Sequence, residues 1–365
     1  MIQITKKIDI FLDYPFQADY KLEELLFFDI ETTGFTAEVS SLYLIGCSYF
    51  QNGSWYITQW FTDDYASELE ILHAFFAFIK PYRVLIHYNG SGFDLPYILK
   101  KCEMNQLNYN FNSFISLDIY KKILPYKKIF KLDNLKQKTI EQYLDVKRED
   151  TFGGGELIQV YGKYLKCRLS HNPEEKQLLH LLTLHNEDDI KGLLQISSIL
   201  CYSDLFEQEA TFIKGEILKD HYYITLQLHH PIKKRVNFGN QDVYVSVYDN
   251  LATIKVLLYR DELKFFYSNY KDYYYLSAED TAIHKSVAFY VDKDYRTKAK
   301  AANCYSKKTG CFIPQYQDVI TPYFRIDYHD KISYIEISDT FQENPTEQYN
   351  YAYHLLHMAI KLTDK

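Results

Sequence analysis

Cysteine motifs, long apolar runs and nucleotide-binding signatures are all missing from this chain of 365 residues. Its six cysteines form no CxxC pair, which argues against a zinc ribbon and against a secreted disulfide scaffold. No run of about 18 apolar residues occurs, so we expect no membrane span. The apolar stretch nearest the start contains an acid, so we expect no signal peptide and a cytoplasmic location. The absence of GxxxxGK[ST] excludes a Walker-type NTPase.

An excess of positive charge is missing too, because the formal net charge is -7. No global field therefore draws the chain to nucleic acid or to anionic lipid, and any such binding requires local basic patches. Apolar residues make up 47% and charged residues 24%, which excludes wholesale disorder. At about 150 residues per domain, the length predicts two domains.

The first part of the chain alternates strand and helix patterns. Strand patterns occupy 25–31, 41–50, 54–61, 83–89 and 113–120, and helical patterns occupy 67–80, 133–144, 174–200 and a stretch that starts near Phe93. Asn52-Gly53 predicts a hairpin turn, and Asp133 is expected to cap the helix that it begins. This order predicts a mixed sheet with helices on its faces, in a domain over 25–205 that follows an N-terminal extension over 1–24.

The remainder, 206–365, has the pattern of antiparallel strands separated by Asn, Asp and Gly. These strands include KSVAFYVDKD (285–294) and a hairpin that turns at His329-Asp330. The tail over 347–362 predicts a closing helix. We therefore expect a β-rich α+β accessory domain.

Two carboxylates end the first buried strand of the predicted α/β domain. Asp29 and Glu31 are two residues apart, so their side chains project from the same face of the strand. Acids in such a position repel each other unless a cation lies between them, and Mg²⁺ and Mn²⁺ prefer oxygen ligands. The alternative is a strand end that has reached the solvent.

Two further segments carry acids in similar settings. Asp94 begins a helix after a strand and a Gly-Ser-Gly turn, either as an ordinary first-turn acid or as a third carboxylate at the sheet edge. His185 and Asp189 are four apart on a helix and share a face, although many such pairs lie on the surface. Glu187 and Asp188 are expected to face the solvent.

Together these segments resemble the DEDD superfamily of 3′–5′ exonucleases, which have a ribonuclease-H-like fold. Three strings carry the resemblance: FDIETTG (28–34), YNGSGFDLPYI (88–98) and HNEDD (185–189). With DIY at 118–120 and REDTFGGGELI at 148–158, the pattern is most similar to the YprB-like branch of bacterial ribonuclease-H-like proteins. The resemblance spans about residues 25–200 and implies an α/β ribonuclease-H-like domain there, followed by the β-rich α+β domain.

The resemblance also implies a set of site residues. The four metal-binding acids would be Asp29, Glu31, Asp94 and Asp189, holding two divalent cations, Mg²⁺ or Mn²⁺. Relatives carry either tyrosine with three residues before the last acid or histidine with four between. His185 lies in the tyrosine register and is the candidate general base. Thr32 and Thr33 are expected to offer backbone contacts to the terminal nucleotide. Asn89 is expected to fix the turn that presents Asp94, and Asn89 and Phe93 are expected to bind the substrate.

Two basic segments are candidates for holding the strand. The lysines of 121–138 suit either phosphate contacts or a solvated helix face. In 293–310, basic residues alternate with aromatic ones, and we expect Tyr295, Lys298 and Tyr305 to bind single-stranded nucleic acid.

The resemblance therefore implies a metal-dependent 3′–5′ exonuclease that hydrolyses phosphodiester bonds, with water as nucleophile, at a single-stranded 3′ end of DNA or RNA. One alternative is a catalytically inactive nucleic-acid-binding module on a nuclease fold. Another makes 206–365 a protein-docking domain that recruits the nuclease to a partner. No membrane partner is expected.

Overall fold

The computed structural model describes residues 1–64, 66–150, 152–207 and 210–363. They form two compact units, and each is described by itself. The first unit comprises 1–127 and 131–203, and the second comprises 128–130 and the described residues from 204 onward. The domain boundaries at 24/25 and 205/206 stay predictions.

The elements up to residue 204 alternate between strand and helix in the expected order. The strands are β1 (Ile2–Ile8), β2 (Leu25–Thr32), β3 (Leu42–Gln51), β4 (Ser54–Phe61), β5 (Val84–His87) and β6 (Ile115–Asp118). The helices are α1 (Glu68–Phe78), α2 (Asp94–Met104), α3 (Ile119–Ile123), α4 (Lys127–Phe130), α5 (Gln137–Tyr143), α6 (Gly154–Leu169), α7 (Glu175–Ile196) and α8 (Leu200–Asp204).

The first unit is built on one mixed sheet, as predicted. Its strand order is β1-β4-β3-β2-β5-β6, with antiparallel pairs up to β2 and parallel pairs for β2–β5 and β5–β6. Asn52 and Gly53 both have positive φ between β3 and β4, which matches the predicted hairpin turn. The segment expected to be an N-terminal extension instead supplies the edge strand β1.

Helices cover both faces of this sheet. On one face, Phe28 and Ile30 of β2 pack with Phe75 of α1 and Ile98 of α2. On the other face, α6 and α7 pack against β3 and β4, for example through the stacked rings of Tyr43 and Tyr161. Since side chains alternate along a strand, Asp29 and Glu31 of β2 project toward the α7 face.

Two predicted elements in this unit have different boundaries. The strand over 113–120 ends at Asp118, because the Asp118 carboxylate accepts a hydrogen bond from the backbone of Lys121 and caps α3. The helix expected to begin at Asp133 begins at Gln137 instead, after a turn in which the Asn134 side chain accepts from the backbone of Lys136.

The second unit is rich in antiparallel strands, which confirms the β-rich prediction for this part of the chain. The strands are β7 (Ala210–Leu218), β8 (His221–Gly239), β9 (Val243–Leu257), β10 (Tyr259–Phe266), β11 (Tyr273–Leu276), β12 (Thr281–His284), β13 (Thr297–Lys298), β14 (Tyr305–Gln315) and β15 (Ser333–Glu336). They form sheets in the orders β7-β8-β9, β10-β14-β15 and β12-β11-β13. The helices are α9 (Lys285–Ala288), α10 (Asp339–Gln342) and α11 (Pro345–Leu362).

Two predicted elements of this unit, a helix and a strand, have different outcomes. The closing helix is confirmed as α11, whose buried residues include Tyr351 and Leu355 and which packs on β8 and β9. KSVAFYVDKD was predicted to be a strand, but it begins with the single turn α9, where the His284 side chain accepts from the backbone of Ser286. Among the described residues, no helix combines the length and the apolar character needed to cross a bilayer.

A buried histidine on α11 predicts acid sensitivity. His354 accepts a hydrogen bond from the backbone of Tyr316 at 3.0 Å, and burial lowers its pKa to about 4. The folded state therefore binds this proton less readily than the unfolded state, whose histidine pKa is about 6.5. The contribution of neutral His354 to the free energy of unfolding is fully present above pH 6.5. It is lost as the pH falls toward 4, and the total loss is about 3 kcal/mol.

His354→Gln retains a hydrogen-bond acceptor but cannot be protonated. We expect this variant to lose about 2 kcal/mol less than the parent between pH 7 and pH 5, measured as the free energy of unfolding in urea by circular dichroism. The exposed His329 provides the control, since His329→Gln should leave the pH dependence as it is. Identical pH dependence in the parent and in His354→Gln would contradict the prediction.

Candidate active site

The predicted carboxylates meet at the end of β2. Asp29 accepts a hydrogen bond from the Asn186 side chain of α7 at 3.1 Å, and Tyr43 of β3 donates to Glu31 at 3.5 Å. Asp94, the first residue of α2, accepts from the backbone N–H of Ile30 at 3.3 Å. Strand β2 therefore carries Asp29 and Glu31, and its backbone also binds the carboxylate of Asp94.

The last acid comes from α7. His185 Nε2 lies 3.2 Å from Asp189 Oδ2 and 3.7 Å from Glu31 Oε1. One ligand atom from each of Glu31, His185 and Asp189 lies within 4.8 Å of the others, which is close enough for a shared metal ion. Asp29, Asp94 and Asp189 line one cavity of about 670 Å³ together with Glu31. The structure therefore brings the four predicted acids and His185 together.

The electrostatics of this cluster are unfavourable without a cation. Burial, followed by repulsion from neighbouring carboxylates, raises the pKa of Asp29 and of Glu31 well above the usual range. Burial raises the pKa of Asp94 to about 7. Desolvated like charges are stabilised by a cation between them, and the donors are mostly the carboxylate oxygens that Mg²⁺ and Mn²⁺ prefer. The residues present fit a divalent metal.

The turn before α2 depends on Asp118, a residue that was not predicted to belong to the site. Asn89 has φ +59°, and its backbone N–H donates to Asp118 Oδ1 at 2.9 Å. The N–H of Ser91 donates to the other oxygen of Asp118 at 3.1 Å. Asp118 thus holds the turn that presents Asp94, while Asn89 and Phe93 line the cavity.

The hydroxyl groups of Thr32, the last residue of β2, and of Thr33 form hydrogen bonds within the loop that follows the strand. Thr32 donates its hydroxyl proton to the carbonyl of Gly34, and Thr33 accepts from the backbone of Ser41, both at 2.8 Å. Neither residue is among those that line the cavity. Phe35, which the sequence analysis missed, does line it, and 92% of its surface is exposed.

A partly buried arginine beside the acids was also missed. Arg148 Nη1 lies 2.7 Å from Asp189 Oδ1 and 2.9 Å from Glu141 Oε2. Arg148 belongs to the string at 148–158, of which Thr151 lies outside the described residues. The sequence analysis cited this string only as part of the family resemblance. Its residue pattern does not predict that an arginine contacts α7.

Asp150 of the same string holds the histidine. His185 Nδ1 lies 2.5 Å from Asp150 Oδ2, and both side chains are almost fully buried. Because a carboxylate only accepts, Nδ1 carries the proton of this bond, and in a neutral ring Nε2 is then an acceptor facing Glu31 and Asp189. The orientation of His185 is therefore fixed from outside the acidic cluster.

The prediction that Glu187 and Asp188 face the solvent is wrong, since each is only 5% exposed. Asp188 accepts from the backbone N–H groups of Glu149 and Asp150, both at 2.7 Å. Glu187 pairs with Lys6 of β1 and with Lys191 at 2.6 Å. The reason is that α7 is covered on more than one side, which its apolar stripe alone does not reveal.

The lysine-rich segment over 121–138 contributes Lys136 and Lys138 to the cavity lining. Lys138 also donates to the carbonyl of Phe152 at 2.7 Å and lies 3.8 Å from Asp150. Two lysines of this segment therefore lie at the acidic cavity, and both predicted roles, phosphate contact and solvated face, stay predictions.

The residues predicted in 293–310 belong to the second unit. Tyr295 is 65% exposed, and Lys298 is an exposed residue of β13. Tyr305 is only 6% exposed, and its hydroxyl donates to Asp280. It points inward on β14, so it offers no free face for stacking, and we withdraw it from the substrate surface.

Gly46 gives a sharp test of how α7 is positioned. It lies opposite Asp29 in the β2–β3 register, and a Cβ there would be 1.9 Å from Asn186 Oδ1. Gly46→Ala must therefore displace the Asn186 side chain, which donates a hydrogen bond to Asp29. We expect a loss of about 1–3 kcal/mol in the free energy of unfolding, measured in urea by tryptophan fluorescence.

Gly155→Ala is the matched control for this variant, because no atom lies within 4 Å of the added Cβ and alanine favours the helix α6. It should be neutral or slightly stabilising. Equal free energies of unfolding in Gly46→Ala and Gly155→Ala would mean that the position of the Asn186 side chain does not require a glycine at residue 46.

Three similarities to known proteins were found. Residues 26–201 match a family model described as RNase_H superfamily. A DNA polymerase of Red sea bream iridovirus is 52% identical over 40 residues, which are 10% of this chain and 4% of that protein. The family B DNA polymerase of the archaeon Pyrobaculum calidifontis has a TM-score of 0.39 and 12% identity, over 68% of this chain and 35% of that one.

The chain therefore spans only a small part of either polymerase. The family-model match and the mixed sheet flanked by helices confirm a ribonuclease-H-like fold for the first part of the chain, followed by a β-rich region. The match supports a nuclease-type enzyme.

Proposed function

We propose that this chain is a metal-dependent nuclease that removes nucleotides from the 3′ end of single-stranded DNA or RNA. One observation carries the proposal: Asp29, Glu31, Asp94 and Asp189 converge on a single cavity, where burial and mutual repulsion raise the pKa of Asp29 and of Glu31. The resemblance to DEDD exonucleases, and to their YprB-like branch, supplies the direction of the reaction.

The four acids would hold two divalent cations, Mg²⁺ or Mn²⁺. When bound, such cations lower the pKa of a water and neutralise charge on the scissile phosphate and on the leaving 3′-oxygen. The chain itself contributes fixed ligand positions, since Asp29 is held by Asn186 and Asp94 by the backbone of Ile30.

His185 would take the proton of the attacking water. Its Nδ1 is engaged by Asp150, so Nε2 is the nitrogen that can accept a proton on the side of Glu31 and Asp189. Asp150 then stabilises the positive ring that results, as an orienting carboxylate does in other acid–base pairs.

The terminal nucleotide would bind at the mouth of the same cavity. Phe35 and Phe93 lie edge to face there, with ring centroids 6.0 Å apart, and offer surfaces for base stacking. Asn89 adds a polar side chain in the lining, and Lys136 and Lys138 add positive charge for phosphates. The backbone contacts of Thr32 and Thr33 with the terminal nucleotide stay a prediction.

One contact favours the catalytically inactive alternative. Arg148 pairs with Asp189 at 2.7 Å and so occupies an oxygen that a cation would need. In a binding module on a nuclease fold, such an arginine could permanently replace the metal charge. The two functions differ in whether divalent metal produces hydrolysis.

The test uses single-stranded DNA and RNA labelled at the 5′ end, with Mg²⁺, Mn²⁺ or EDTA. We expect a ladder that shortens from the 3′ end, that needs metal and that a 3′-terminal phosphorothioate delays. Internal cuts without a ladder would replace the exonuclease by an endonuclease. No metal-dependent product on either strand would favour the inactive module.

A further inference from the structure

An exposed aromatic surface in the second unit has no role in the site described above. We call it the aromatic–basic patch, and it consists of Phe289, Tyr290, Lys293, Tyr295, Lys298 and Lys300. The three rings are 76%, 86% and 65% exposed in chain order. Scattered exposed apolar residues are ordinary, but the rings of Phe289 and Tyr290 lie edge to face with their centroids 5.6 Å apart, and Tyr295 follows five positions later in the chain. Clustered exposed rings of this kind mark interaction sites.

The backbone that carries these rings is anchored, so their exposure does not come from a detached segment. Ala288 and Ala299 are buried at either end, and the backbone of Ala299 donates to Tyr273 at 3.1 Å. Between them, Arg296 donates to the carbonyl of Ala288, and its guanidinium lies 5.1 Å from the ring centroid of Tyr274. The fold holds small residues inward and large rings outward.

The charge around the rings is the opposite of the charge of the whole chain. Residues 285–300 carry five basic and two acidic side chains, whereas the chain carries a net -7. Within the described residues, Lys293, Lys298 and Lys300 form no ion pair, and Lys285 pairs with Asp272. Of the two acids, Asp292 caps its own turn by accepting from the backbone of Asp294.

Rings and unpaired lysines together fit one class of partner best. Lysine is depleted in protein–protein interfaces, so a protein partner accounts for the rings but not for the cations. Duplex nucleic acid accounts for the cations, but its bases are stacked on each other and leave the rings without contacts. Single strands offer both phosphates and free base faces.

We propose that the aromatic–basic patch binds single-stranded nucleic acid, with bases stacked on Phe289, Tyr290 and Tyr295 and phosphates paired with the lysines. This inference rests on the proposed function, because it makes the patch a second contact for the strand that the nuclease shortens. It keeps two predicted residues, Tyr295 and Lys298, and replaces the buried Tyr305 by Phe289 and Tyr290.

The binding test uses the full chain with Asp29→Asn in EDTA, so that the strand is not degraded. Fluorescence anisotropy follows a labelled oligothymidylate of about 20 nucleotides and the matching oligouridylate. The ring variant Phe289→Ser/Tyr290→Ser/Tyr295→Ser should raise Kd by about 100-fold or more. The variant Lys293→Gln/Lys298→Gln/Lys300→Gln should reduce the slope of log Kd against log salt by about 2, since each single-strand phosphate contact contributes about 0.7.

Tyr244→Ser/Lys331→Gln is the matched control, because it removes a ring that is 42% exposed and an exposed lysine elsewhere in the same unit. Its Kd should equal that of the parent. All the substituted side chains are exposed, so loss of binding in the patch variants with unchanged thermal unfolding supports the proposal.

Three results would overturn it. The first is that the ring variant binds no more weakly than the parent, either because the parent binds neither oligonucleotide or because the two Kd values are equal. The second is a ring variant that no longer binds vesicles of phosphatidylcholine with 20% phosphatidylserine, which the parent binds, while its oligonucleotide affinity equals that of the parent. That result would indicate a membrane-binding surface. The third is a parent dimer that the ring variant converts to a monomer without a change in oligonucleotide affinity.

Hydrolysis assays separate failure of the patch from failure of the proposed function. With Asp29 restored, the ring variant should degrade a 30-nucleotide strand with a raised KM and should hydrolyse a trinucleotide as fast as the parent. Equal KM values on the long strand would overturn the patch while the nuclease stands. Patch-dependent binding without any hydrolysis would support the patch and refute the nuclease.

Discussion

Replacing Asp29 by asparagine is expected to abolish metal-dependent hydrolysis and at the same time to raise the Tm of the metal-free protein. The amide removes one of the charges that metal binding requires, which should reduce kcat by about 1000-fold, or about 4 kcal/mol. It also removes repulsion, because burial and the charges of Asp94 and Glu31 all act against ionised Asp29. The gain should be about 1 kcal/mol, or about 2–4 °C in Tm.

Asparagine keeps the shape of the side chain and can still accept the hydrogen bond from Asn186, so the opposite signs of the two effects are informative. Hydrolysis of a labelled strand and thermal scanning in EDTA measure them. Glu103→Gln is the control, since Glu103 is exposed and pairs with Lys100 at the surface of α2, and the substitution should change neither quantity. Retained activity, or a lower Tm, would show that Asp29 does not carry the charge assigned to it.

The sequence could predict those site residues whose positions follow from local periodicity. Asp29 and Glu31 share a face because strands alternate, and His185 and Asp189 share a face because a helix turns in 3.6 residues. The position of Asp94 follows from the Gly-Ser-Gly turn and from the start of the helix α2. These relations involve neighbours in the chain, so they survive without knowledge of the tertiary structure.

The residues that the sequence analysis missed act across long separations. Arg148 and Asp150 lie in a segment without periodicity and reach α7 from about 40 positions away. The same packing buries Asp188, because the backbone of this segment donates to it. Local pattern also misjudged Tyr305, since alternation along a strand does not say which side is inward.

Removing the guanidinium of Arg148 is expected to destabilise the first unit strongly. Its side chain is 12% exposed and that of Glu141 is 1% exposed, so Arg148→Met leaves a buried carboxylate without its cation. Burial already raises the pKa of Glu141, and Arg148 opposes that shift. We expect a loss of about 3–5 kcal/mol in the free energy of unfolding in urea, followed by the fluorescence of Trp55 and Trp60.

Two further variants decide whether charge is the cause. Glu141→Gln in the Arg148→Met background should restore part of the loss, because the amide needs no counter-charge, and a double-mutant cycle then measures the coupling. Arg168→Met removes an arginine that is 45% exposed and that pairs with Asp63 at 3.1 Å, and it should cost less than about 1 kcal/mol. If Arg148→Met costs no more than Arg168→Met, the buried ion pairs do not stabilise the wall of the site, and Arg148 would be retained for its contact with Asp189 alone.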